Sequence, residues 1–327
     1  MDADVDPSPL LTHSIDKVDA MHFRDLNAIK AYYKTFYDKY GYVVIPSNAP
    51  ISLIPSYEAF FKLQESCERA ISKTRSGEWP HRRTVGKQFP PYGEDNPDSW
   101  GVQHLMHFEL QEWAFAEWYC SDRVLDAVTL LLGCQREDLQ MELFNLLINP
   151  TSHDFALRWH RDDVRERASY DEEVHALAKW HTGIQWNTAL YHDECLYVVP
   201  ESHMIPRTQA QRSLSRTQAP PKDPMRMPGA VKVVLEPGDT VFYNSNILHC
   251  ATYSSATKRA TLHACMGNAA RGGLNRARNI LQHDLKWMKD PWFWQSLPHD
   301  TAKRMLDRLI DLQEAQEGQE VSYSLSG

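Results

Sequence analysis

No run of apolar residues in this sequence approaches the roughly 18 that a membrane-spanning helix needs, so no membrane partner is expected. Paired cysteines are also missing. The six present (Cys67, Cys120, Cys134, Cys195, Cys250 and Cys265) are scattered and form no C-x-x-C motif. In a chain without a secretory leader, such thiols are expected to be reduced core residues and not a disulfide framework. The leader pattern itself is absent: Asp2, Asp4, Asp6, Asp16 and Asp19 stand where a basic segment and an apolar stretch belong, and the cytoplasm is the expected compartment. Positive charge is not in excess either. A formal net charge of −8 argues against a nucleic-acid partner, because neutralising phosphates takes a basic face. The mildly basic stretch 222–232 is broken by prolines and reads as a loop. No internal repeat or low-complexity tract is visible.

What remains is the composition of an ordinary globular protein, 42% hydrophobic and 24% charged, with aromatic residues enough for both a core and a pocket. Residues 1–24 are polar and read as a loose arm. From Asp25 to Tyr40 apolar residues recur at helical spacing (Leu26, Ile29, Tyr33, Phe36), and Gly41 then stops the helix. Residues 42–46 read as a buried strand, 56–76 as a helix with Ser56 as N-cap, and 83–101 as a loop that could cover a site. A helix is expected over 110–132.

After Gly133 the segments shorten to strand length. Strands are expected at 140–148, 157–163, 183–191, 195–200, 231–235, 239–243 and 259–266, separated by Pro-Gly and Asn-Ser turn signals. Many short strands with turn punctuation predict a sandwich or barrel. Residues 291–316 return to helix, and 317–327 form a polar tail. The reading is mainly β with flanking helices: one domain over 25–316, a β core at about 138–270, and helices from both ends packed outside it.

Chemistry enters at Trp159-His160-Arg161-Asp162. On an extended segment residues i and i+2 point to the same side, so His160 and Asp162 can face one metal ion. Two histidines and one carboxylate form the facial arrangement that leaves positions on iron(II) open. His249 is the natural third ligand. It follows the turn and strand Pro237-Gly238-Asp239-Thr240-Val241-Phe242-Tyr243, and Arg259 comes ten residues after it. Arg158, Trp159 and Arg161 flank the pair and are candidates for touching substrate.

The order of these features resembles the phytanoyl-CoA dioxygenase (PhyH) family of iron(II)- and 2-oxoglutarate-dependent oxygenases. Trp186-Asn187-Thr188-Ala189-Leu190, followed by Leu196-Tyr197-Val198-Val199-Pro200-Glu201-Ser202-His203, is similar to that family's W-x-A-L … L-x-V-x-P-G-S-H stretch. The pattern spans roughly residues 25–270.

The resemblance implies a double-stranded β-helix (a jelly-roll, cupin-like core) holding Fe(II), with 2-oxoglutarate and O2 as co-substrates. It implies that Arg259 binds the far carboxylate of 2-oxoglutarate, for which a planar guanidinium is suited. It places Trp186 in the lining of that pocket, with Asn187 a looser candidate. Thr261 and His263 share parity with Arg259, but core packing is the expectation for both.

Two departures stand out. Glu201 replaces the family's usual Gly, and Ala251 occupies the position of a donor to 2-oxoglutarate. The expected reaction is hydroxylation of a small, largely apolar molecule, with desaturation, epoxidation or ring rearrangement as alternatives. Halogenation is disfavoured, since halide must take the place of a coordinated carboxylate and Asp162 is present. A metal-binding barrel without turnover is the reading from another class.

Overall fold

The structure, a computed structural model, describes residues 25–319 apart from 91, 93–95, 218 and 273–275. The expected N-terminal arm and residues 320–327 of the expected tail lie outside the described residues. Helix α1 (Leu26–Tyr40) begins where the Asp25 carboxylate accepts the Asn27 N–H, and it ends at Gly41 with φ 76°. That left-handed angle suits glycine. Space demands glycine too, because a Cβ there would lie 2.3 Å from Nδ1 of His203.

Strand β1 (Tyr42–Ile45) follows, then α2 (Tyr57–Ser76), capped by Ser56 as expected. Strands β2 (Arg82–Thr84) and β3 (Ser99–Val102) bracket the intervening loop. The helix foreseen at 110–132 is broken into α3 (Ala114–Tyr119) and α4 (Asp122–Leu132), because the Ser121 hydroxyl accepts the Val124 N–H and starts a new helix. Next come β4 (Leu139–Ile148), β5 (Phe155–Ala156), α5 (Tyr170–Leu177), β6 (Gly183–Ala189), β7 (Leu196–Val199) and α6 (Gln209–Ser215). Strands β8 (Val231–Lys232), β9 (Thr240–Tyr243), β10 (Leu248–Tyr253) and β11 (Ala260–Asn268) complete the sheets. Helices α7 (Ala277–Ile280), α8 (Pro291–Ser296) and α9 (Asp300–Ala315) follow; the expected 291–316 helix is interrupted around Pro298, and His299 caps α9.

The strands form two antiparallel sheets, one of seven in the order β1-β9-β6-β11-β4-β3-β2 and one of four in the order β5-β10-β7-β8. This is the helix-flanked jelly roll that the sequence led us to expect. Helices from both ends cover one face of the larger sheet: Tyr33 of α1, Leu63 of α2, Val128 of α4 and Leu309 of α9 share one apolar cluster with Phe144 and Trp186. The other face meets the smaller sheet through Val44, Ala189, Val198 and Val241.

Two expectations about strands change. Residues 157–163 do not form a strand; only His160 makes an isolated bridge, to His249. Conversely, β10 was not foreseen, and His249 lies on it.

Candidate metal centre

His249 and His160 are tied backbone to backbone, each N–H donating to the other's carbonyl at 3.0 Å. Two residues on, the Asp162 N–H donates to the Ser245 carbonyl at 2.9 Å. These bonds lay an irregular segment against the end of β10 and aim three side chains at one point. Nε2 of His160 lies 3.5 Å from Oδ1 of Asp162, and Nε2 of His249 lies 3.9 Å from it. One ligand atom from each residue falls within 4.8 Å of the others. Two donor–metal bonds of about 2.1 Å span at most about 4.2 Å, so both separations suit a shared cation.

Each ring is set by its other nitrogen. Nδ1 of His160 lies 2.8 Å from the Arg158 carbonyl, and Nδ1 of His249 lies 2.9 Å from the Ile247 carbonyl. Donation to those carbonyls puts the proton on Nδ1 and leaves both Nε2 lone pairs for a metal. Burial, with His160 beside it, pushes His249 down to about 4, so its neutral form prevails near neutral pH. Burial alone would raise the Asp162 carboxyl, but His249, His160 and the Gln185 amide outweigh it and hold that group well below the usual range. Gln185 Nε2 donates to Oδ2 of Asp162 at 2.6 Å, which orients the carboxylate.

A segment outside any strand needs other anchors. The Arg161 guanidinium donates to the carbonyls of Ser202, Asn246 and Ile205, and pairs with buried Glu173. Arg276, just before α7, donates to Asp163, Ser245 and Glu142. Both neighbours of Asp162 are thereby clamped. Gln88, from the loop between β2 and β3, accepts the Arg158 N–H at 2.9 Å.

The three residues open onto a cavity of about 80 Å³ that Arg259, Asn187, His263, Tyr243 and Tyr253 also line. Arg259 is buried, and its Nε donates to Oδ2 of Asp193 at 2.5 Å, an oxygen that also accepts from the Thr261 hydroxyl. Its Nη1 and Nη2 are buried without a hydrogen-bond partner. Two orphaned donors on one planar group are what a carboxylate satisfies, so the chain's own residues fit a dicarboxylate co-substrate.

The family model for phytanoyl-CoA dioxygenase (PhyH) matches residues 37–260, more than half of the chain. The chain belongs to that family. It is an iron(II)- and 2-oxoglutarate-dependent oxygenase of the PhyH type. No curated protein matches it by sequence.

Among solved structures, AviO1 from Streptomyces viridochromogenes is similar at a TM-score of 0.54 and 15% identity, over 74% of this chain and 96% of that one. EctD from S. alaskensis, solved with 2-oxoglutarate and 5-hydroxyectoine, gives 0.52 and 16%, over 74% and 77%. The same enzyme with bound Fe gives 0.51 and 16%, over 74% and 77%. At these identities the likeness speaks for the fold. No helix among the described residues is long and apolar enough to cross a membrane, and the described cysteines are free, four of them buried.

Against the PhyH pattern, one expected pocket residue is corrected. Trp186 pairs with Ala264 in the register, whereas Asn187 pairs with His263. Trp186 therefore points away from the face that carries Arg259, Thr261 and His263. It is wholly buried against Tyr119 and Phe242 under the helices. Asn187 does face the cavity, with Oδ1 2.8 Å from Nδ1 of His263. His263 lines the cavity rather than only packing.

Of the residues flanking the ligands, Trp159 packs with Tyr197 and Leu248, Arg161 is spent on the clamp, and Arg158 pairs with Glu166. The reading of the sequence missed Gln185 and Gln88. Gln185 had a signal, since it and Asn187 are amides two apart on the same side of a strand. Gln88 had none. Glu201 has φ 67°, which explains why glycine suits that turn.

Proposed function

We propose that His160, Asp162 and His249 hold the Fe(II), that Arg259 receives the distal carboxylate of 2-oxoglutarate, and that the product is a hydroxylated small molecule. The observation that carries this reading is the convergence of both Nε2 atoms on Oδ1 of Asp162 in the cavity where Arg259 presents two unpartnered donors. Bound there, iron(II) with 2-oxoglutarate and O2 supplies the oxidising power, with succinate and CO2 as the co-product.

The protein's own part is positional. Gln185 fixes the carboxylate, and the Arg158 and Ile247 carbonyls hold the imidazole tautomers. Asp193 and Thr261 brace Arg259 so that its fork is set before the co-substrate arrives. Phe89, Leu143, Leu147 and Leu157 give the cavity apolar walls, which supports an apolar body for the substrate.

Succinate formation from 2-oxoglutarate by the iron-loaded chain tests the reading, with His249→Ala as control. Loss of iron and turnover together is the expected result; a variant that keeps both removes His249 from the site. Mass spectrometry of products from a metabolite panel then separates the gain of one oxygen from the loss of two hydrogens. A protein that binds iron and 2-oxoglutarate but forms no succinate with any of the panel is a non-catalytic barrel.

A further inference from the structure

The cavity holds a second guanidinium that the co-substrate site does not use. Arg83 lies on β2, at the edge of the larger sheet. Successive pairings run Arg83↔Gly101, Gly101↔Leu147 and Leu147↔Thr261, one row across four strands. Gly101 makes room for this side chain: a Cβ there would sit 3.0 Å from Cδ of Arg83. The stem thus lies across β3, and the guanidinium stacks 5.1 Å from the Trp100 ring centre. Arg83 lines the cavity and is only 8% exposed.

Its lack of a partner sets it apart. The other buried arginines each have a carboxylate: Arg158 with Glu166, Arg161 and Arg207 with Glu173, Arg259 with Asp193, and Arg276 with Glu142. The Arg83 side chain makes no hydrogen bond or ion pair among the described residues, and its Nε is buried without an acceptor. Asp162, the one acidic residue among the described lining residues, is taken up by Gln185 and the two histidines. The Arg83 charge acts on Tyr92, His104, Tyr243, Tyr253, His263 and His283, which supply no counter-charge. A buried charge left unpaired is costly, so an anion from outside is the natural complement.

We propose that Arg83 receives an oxyanion, a carboxylate in the first instance, on the molecule that is oxidised, which makes the substrate a small organic acid with an apolar body. This rests on the assignment of Arg259 to 2-oxoglutarate. The two fork donors of Arg259 already match both oxygens of one carboxylate. The row from Thr261 to Arg83 spans three inter-strand steps, roughly 14 Å of backbone at about 4.8 Å each, so the two side chains enter the cavity from different strands, Arg83 over the Trp100 ring and Arg259 over the Tyr253 ring. An acid anchored at Arg83 would lie with its apolar part along Leu143, Leu147 and Phe89, and its anchored end would fix which carbon faces the metal centre.

The test uses the full chain loaded with Fe(II) and 2-oxoglutarate without oxygen, titrated calorimetrically with hexanoate, benzoate and phenylacetate and with their methyl esters. The parent should bind at least one acid more tightly than its ester by roughly 30-fold, a factor in keeping with a charge-assisted pair. Arg83→Gln should abolish that preference and leave iron content and 2-oxoglutarate affinity within about twofold, by the same arithmetic. Arg83→Lys, which keeps the charge and loses the fork, should restore part of it. Esters bound as well as acids, or no acid bound at millimolar concentration, overturns the proposal. So does an Arg83→Gln variant whose 2-oxoglutarate affinity falls instead, since Arg83 then belongs to the co-substrate. Loss of 2-oxoglutarate binding in the parent, or its persistence in Arg259→Ala, is the separate failure of the underlying assignment.

Discussion

The two faces of the seven-stranded sheet differ more than their shared burial suggests. Strand β6 is buried at every position, yet Ile184 and Trp186 meet the helices while Gln185 and Asn187 meet the cavity. Strand β11 repeats the division: Ala260, Leu262 and Ala264 belong to the helix-side cluster, whereas Thr261 and His263 face inward. One face buries apolar area and holds the fold together. The other buries polar groups in specified partnerships, and these partnerships hold the site. In this sheet, burial alone does not separate structure from function; orientation does.

Mutations can break or sharpen that contrast. The largest effect is expected inside, at His249→Ala: iron retained after anaerobic loading and gel filtration should fall to near zero while the circular dichroism spectrum stays that of a folded protein. Full occupancy would falsify the ligand assignment. On the outer face, Trp186→Ala should cost about 3–5 kcal/mol in denaturant unfolding, the usual range for emptying a large aromatic site. The folded fraction should bind 2-oxoglutarate as the parent does. Weaker 2-oxoglutarate binding at unchanged stability would reverse the roles of the two faces.

Back inside, Arg259→Ala should raise the 2-oxoglutarate dissociation constant roughly 30-fold or more, with iron content largely spared. Arg259→Lys should fall between, and an unchanged titration for Arg259→Ala would move the carboxylate site elsewhere. The smallest effect is expected at the turn after β7. Glu201→Gly relieves a left-handed angle at the expense of a more flexible unfolded chain, for a net gain below about 1 kcal/mol. A clear loss of stability in the melting curve would mean that the Glu201 side chain holds the turn.

Much of this was legible in the sequence because it was local. Ser56 and Gly41 mark helix ends by their own chemistry, and the shift to short apolar segments after Gly133 announces the sheets. His160, Asp162 and His249 were readable as residue types at spacings. What failed depended on register. The facing of Trp186 follows from its pairing with Ala264 and not His263, and no strand buried on both faces displays that choice in its hydrophobic pattern. Residues 157–163 read as a strand because apolar Leu157 and Trp159 alternate with polar Arg158 and His160, yet their backbone bonds go to scattered carbonyls at 245, 249 and 251. Strand β10 was hidden because its histidine and threonine interrupt any apolar run.

The clamp at Arg276 also has a consequence for how the protein is made. Glu142 and Asp163, which it neutralises, are synthesised long before it, and Arg276 itself lies beyond the stretch matched by the PhyH family model. A nascent chain that has emitted His160, Asp162 and His249 still carries two carboxylates without their counter-charge, one of them adjacent to Asp162. The segment that carries Asp162 gains this last clamp only when Arg276 emerges, after the Ser245 and Arg161 anchors are already in the chain. A chain terminated between His249 and Arg276 would carry all three candidate ligands without the clamp beside Asp162.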